Sequence, residues 1–78
     1  MKYLTLQQIA NITGMSQFTL RIYLQNFRFN QFVYGKKYLF NREFIDNFVE
    51  FLHIKRRHEL AEDVKKKLLS AGKQELSV

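Results

Sequence analysis

The chain has 78 residues and contains no cysteine, no proline, no tryptophan and only three glycines. Without cysteine and with two histidines, neither a disulfide framework nor a zinc site can be assembled. No apolar run approaches the roughly 18 residues of a membrane span. The opening Met-Lys-Tyr-Leu-Thr also lacks the apolar stretch of a secretory signal. A soluble, cytoplasmic chain without metal or cofactor is therefore the expectation. Enzymatic constellations are missing as well. There is no Gly-rich phosphate loop, and Ser16 and Ser70 have no His–acid companions, so catalysis is not expected.

A further scarcity is of one charge in one place. The first acidic residue is Glu43, so the preceding 42 residues carry only Lys2, Arg21, Arg28, Lys36, Lys37 and Arg42. All seven acids and the other seven bases follow, and they cancel, leaving the net charge of +6 on the N-terminal half. Such a field favours a polyanionic partner and salt-dependent association.

What is present is aromatic and periodic. Eight Phe and four Tyr let a small chain bury a large area per side chain. Thr5 with Gln8 three residues on fits a capping box. Leu6, Ile9, Ala10 and Ile12–Thr13 then give one face of a short helix that stops at Gly14. Ser16 caps a second helix with Thr19 at its third position. Leu20, Tyr23, Leu24 and Phe27 recur on its expected core face, opposite Gln17, Phe18, Arg21, Ile22 and Gln25. Ala10, Gly14 and Leu20 sit where a helix-turn-helix has least freedom: a small residue at the crossing, a residue able to take φ > 0, and an apolar one facing back.

Residues 28–31 read as a connector. Phe32 to Phe40 then reads as two short strands about a Gly-Lys turn with Lys36 and Lys37 at the tip. Asn41 caps a third helix, supported by Glu43 and Asp46. Its apolar face runs through Phe44, Ile45, Phe48, Val49, Phe51 and Leu52, and extends toward Ile54–Lys55. The fold expected is mainly α with a small β-hairpin, in the order helix, helix, hairpin, helix.

From Lys55 the composition changes. Lys55-Arg56-Arg57-His58 is basic, and Leu60, Ala61, Val64, Leu68 and Leu69 then mark an amphipathic stretch with Glu62–Lys66 and Asp63–Lys67 at helical pair spacing. Either the third helix continues through it or it needs a partner, a second copy being the expected one through Leu60, Val64 and Leu68. The expected division is a domain over 1–54, a helical extension over 55–70 and a flexible tail over 71–78. His53 and His58, five apart, suit a structural or solvent-facing role rather than a metal.

Tyr3 to Ala10, Thr13-Gly14-Met15-Ser16 and Thr19-Leu20-Arg21 resemble the opening of excisionase-type and MerR-type winged helix-turn-helix domains. Gly35 to Phe44 resembles their wing and following helix, so the likeness covers about two-thirds of the chain, residues 3–52. It implies binding of double-stranded DNA, with Ser16, Gln17, Phe18, Thr19, Arg21 and Gln25 facing the major groove. Lys36 and Lys37 on the wing, with Arg28 in the connector, would meet phosphate or the minor groove. Arg21 suits guanine or a phosphate, and phosphate is the better fit; Gln17 and Gln25 suit base edges. Lys55–Arg57 suit a flanking phosphate or plain solvation. Phe18 stands where MerR-type members carry a basic or polar residue, which leaves it a thymine methyl or a hydrophobic interface. MerR-type regulators also carry a long coiled coil and an effector domain, for which there is no room here, so no small-molecule effector is expected. The implied role is a small transcriptional regulator of the phage, plasmid or mobile-element kind, dimeric or cooperative on DNA. The alternatives are an excisionase-like recombination directionality factor that bends DNA and, in another class, a protein–protein adaptor.

Overall fold

The computed structural model describes the backbone of residues 2–76 and the side chains of residues 2–72. In chain order the elements are β1 (Lys2–Thr5), α1 (Leu6–Thr13), α2 (Gln17–Leu24), a 3₁₀ segment (Phe27–Phe32), β2 (Val33–Tyr34), β3 (Lys37–Phe40), α3 (Arg42–Ile54) and α4 (His58–Leu76). The molecule is mainly helical, with a small three-stranded antiparallel sheet in the order β1-β3-β2. The hairpin is where the Gly-Lys turn required it. The strand β1, unforeseen in the sequence, pairs Tyr3 with Leu39 and Leu4 with Tyr38.

Local chemistry sets the boundaries. Thr5 accepts from the Gln8 amide at 3.2 Å, while the Gln8 side chain accepts from the Thr5 amide at 2.8 Å, closing the capping box of α1. At the other end Gly14 takes φ +75° and donates to the Ala10 carbonyl at 2.8 Å. Ser16 accepts from the Thr19 amide at 3.1 Å to start α2, and Asn41 accepts from the Phe44 amide at 2.8 Å to start α3.

The core is an aromatic cluster laid between the hairpin and α3. Phe44 packs at centroid distances of 5.4 Å from Phe32, 6.0 Å from Phe48 and 6.1 Å from both Phe29 and Phe40. Phe29 in turn meets Phe48 at 6.0 Å and Phe51 at 5.6 Å. The tilted and edge-on arrangements are those aromatic quadrupoles favour. Two expectations are corrected here. The connector over 28–31 is a 3₁₀ turn that buries Phe29 and Phe32, and Phe27, expected in the core, is 76% exposed. The face extrapolated from Leu20, Tyr23 and Leu24 assumed 3.6 residues per turn. The helix ends at Leu24 and the chain tightens to three, so positions 29 and 32 line up inward and 27 does not.

The third helix does not run on. The Arg56 amide donates to the His53 carbonyl at 2.9 Å and the Arg57 amide to the Leu52 carbonyl at 2.9 Å, the paired bonds of a Schellman C-cap. Arg56 occupies its left-handed position at φ +60°. The chain reverses, and α4 packs back on α3 and α1. Ala61, Val64 and Leu68 are fully buried in the same core as Ile9, Leu20 and Phe48, and Leu60 is half-buried against it. The expectation that Leu60, Val64 and Leu68 bind a second copy is thereby corrected: the partner of this face is the chain's own α1 and α3. Residue 54 consequently marks no break between cores. Of the flexible tail expected over 71–78, α4 includes the backbone to Leu76, and Ser77 and Val78 lie outside the described residues.

Two measurements follow. Leu68→Ala is expected to cost about 2–5 kcal/mol in urea unfolding, the range for emptying a buried leucine site; a dimerisation arm would instead show a change in self-association and little change in unfolding of the monomer. Arg56→Gly is expected to raise stability by about 0.5–1 kcal/mol, because the left-handed position penalises a Cβ. A loss of stability in that variant would contradict the elbow geometry.

Candidate nucleic-acid interface

The turn between α1 and α2 decides what α2 presents. Thr13, only 2% exposed, donates its hydroxyl to the Ile9 carbonyl at 2.9 Å and accepts from the Met15 amide at 3.2 Å. This ties the end of one helix to the approach of the next, around a glycine whose conformation an L side chain rarely adopts. From the far side Lys67 of α4 reaches the Thr13 carbonyl at 3.5 Å while paired with Asp63 at 2.8 Å. With Leu20 and Leu24 buried, α2 can turn only one face outward. Its Gln17, Arg21 and Gln25 are exposed, as are Phe18 at 73% and Ile22 at 52%.

The structure divides the expected groove-facing set. Gln17, Phe18, Arg21 and Gln25 share the outer face and Ile22 stands with them. Ser16 and Thr19 instead hold each other. The Ser16 hydroxyl donates to Thr19 Oγ1 at 2.9 Å while accepting from the Thr19 amide. Only the Thr19 hydroxyl proton is left for an outside acceptor, and Thr19 is half-buried. Arg28 leans toward Glu50 of α3 at 3.7 Å with its side chain 34% exposed, so it is not simply an open cation.

Lys36 and Lys37 are exposed at the β2–β3 turn. Gly35 precedes them at φ +63°, with open space where a Cβ would sit, so backbone conformation alone demands glycine. Tyr34, exposed beside them, meets Tyr3 across the sheet at 5.4 Å in an edge-on contact. The pairing register puts Tyr3, Leu39, Lys37 and Tyr34 on the outer face, opposite buried Leu4 and Phe40.

One connection behind α2 had no sequence signal. Arg57 donates to the Tyr23 hydroxyl at 2.7 Å, linking the α3–α4 elbow to the back of α2. Arg57 and Leu60 also line a small cavity of about 170 Å³ with Gly14, Met15, Ser16 and Thr19. The basic run was visible, but its docking depends on the reversal at Arg56. At the same elbow His53 Nδ1 and His58 Nδ1 lie 2.7 Å apart, so one ring donates and the other accepts, and His53 Nε2 approaches Glu62 at 3.5 Å. Among the described residues no helix is long and apolar enough to cross a membrane.

No protein-family model, curated protein or solved structure matches this chain, and the functional reading rests on its own residues.

The cap assignment has a direct consequence. Ser16→Ala is expected to lower stability by about 1 kcal/mol, with Ser16→Asp holding close to the wild type. Chemical denaturation measures both, and equal losses in the two variants would show that the hydroxyl is not acting as a cap.

Proposed function

We propose that this chain is a winged helix-turn-helix protein that binds double-stranded DNA sequence-specifically and acts as a small transcriptional regulator in the cytoplasm, without catalysis or cofactor. The observation that carries the reading is the outward face of α2, which presents Gln17, Arg21 and Gln25 beside Phe18 and Ile22, in a half-chain that has no acid before Glu43. In this reading α2 lies in the major groove with its first turns toward the base edges. Arg21 neutralises a phosphate and sets register, since backbone contacts position while base contacts specify. The amides of Gln17 and Gln25 each offer a donor and an acceptor, the pattern that matches the adenine edge in that groove. Lys36 and Lys37, held at the hairpin tip, meet phosphate at the neighbouring groove as point charges.

A single module of this size covers about 600–1,000 Å² of protein surface on DNA. With the apolar face of α4 used internally, binding to adjacent or repeated sites is the available source of higher affinity. The exposure of Phe18 and Ile22 favours a second reading, a protein–protein adaptor on the same scaffold.

Salt distinguishes the two. Affinity for duplex DNA is expected to fall linearly in log–log form with salt, and Arg21→Ala/Lys37→Ala is expected to reduce the slope by about 2, roughly one per lost phosphate contact. Fluorescence titration of labelled duplexes gives the slope. A wild type with no salt-dependent affinity for any duplex removes the DNA reading.

A further inference from the structure

The outer face of α2 carries an arrangement that phosphate and hydrogen-bond chemistry do not use. Phe18 and Ile22, one turn apart, project into solvent with Arg21 and Gln25 beside them. Both stand opposite the buried pair Leu20 and Leu24, so core packing does not require either to be apolar. We propose that Phe18 and Ile22 are thymine readers: on the DNA-binding reading above, which this inference presupposes, they pack against C5-methyl groups in the major groove.

Three observations select this occupant. Thymine is the base that adds an apolar group to the major-groove edge, and apolar side chains are its natural complement. Phe18 is the second residue of α2, in the turn of a recognition helix that comes nearest the bases. Residues four apart rise about 6 Å along a helix, close to two base-pair steps of about 3.4 Å. The pair therefore suits thymines within about two base pairs of one another.

A second copy of the chain fits this face poorly. Two side chains supply far less than the about 1,200–2,000 Å² of a specific protein interface. A two-fold contact would also bring Arg21 toward Arg21, and no residue of the first 42 offers an acid to pair with it. Duplex DNA satisfies both demands, accepting the guanidinium at a phosphate and the apolar side chains at methyl groups.

The test compares methyl-bearing and methyl-free DNA. The wild-type protein enriches a random duplex pool, and the enriched pool is amplified once with thymine and once with deoxyuridine, which lacks only the methyl group. Wild-type affinity is expected to be at least about fourfold higher for the thymine pool, the factor that burying one methyl-sized group at about 0.8 kcal/mol provides. In Phe18→Ala/Ile22→Ala, both exposed positions, affinity for the thymine pool is expected to fall and the ratio to collapse toward one, while the salt slope set by the phosphate contacts is retained. Equal wild-type affinity for the two pools overturns the inference and leaves duplex binding standing, as does a ratio the double variant does not change. Indifference to the methyl group combined with loss of self-association in the double variant assigns the face to a second copy and overturns it too. Failure to bind any duplex removes the underlying reading itself.

Discussion

Phe44 is the constraint around which the molecule is arranged. Its ring touches Phe40 of β3, Phe32 and Phe29 of the 3₁₀ segment and Phe48 of its own helix, so the hairpin, the connector and α3 share one contact point. A chain this short has little apolar area to spend, and phenylalanine supplies the most per position after tryptophan, which it lacks. Because interiors are close-packed, moving this ring displaces elements on both sides. The hairpin, a marginal unit alone, is held by the same ring that starts α3, and the lysines at its tip inherit a fixed base.

Around that cluster the molecule separates support from presentation. Helix α4 and the elbow before it act from behind. Val64 and Leu68 fill the space beneath α1 and α3, Lys67 reaches the turn at Gly14, and Arg57 holds the Tyr23 hydroxyl. These contacts restrain α2 from its inner side and leave its outer side bare. An eight-residue helix has little stability of its own, so its presentation depends on what holds its back. The apolar face of the amphipathic stretch at the end of the chain thus belongs to the scaffold.

The exposed residues are of two physical kinds. The cations answer to a charge field and act over a Debye length without exact placement. Phe18 and Ile22 act only on contact, so any discrimination they provide depends on how firmly α2 is seated. Affinity and selectivity, on the proposed reading, therefore come from different side chains of one short helix face.

Much of this was legible in the residues because it is local. The capping box at Thr5 and Gln8, the left-handed stop at Gly14, the caps at Ser16 and Asn41 and the Gly35 turn are each decided within about four residues by hydrogen bonding or steric freedom. The outward set on α2 followed from helical periodicity for the same reason. Where the local period changed without a marker, periodicity misled: Phe27, expected in the core, turned outward, and Phe29 of the expected connector was buried when α2 gave way to a 3₁₀ turn. The strand β1 was invisible because four residues acquire strand geometry only by pairing with β3, which lies beyond both α1 and α2 in sequence. The direction of α4 was likewise undetermined by its own pattern, since an apolar stripe states that something must cover it and not what does. The order of residues was enough for the caps, the turns, the acid-free half and which face of α2 turns outward. The tertiary structure alone decided that Arg56 reverses the chain and that α1 and α3 bury α4, because a chain reversal is chosen by the sum of distant packing contacts.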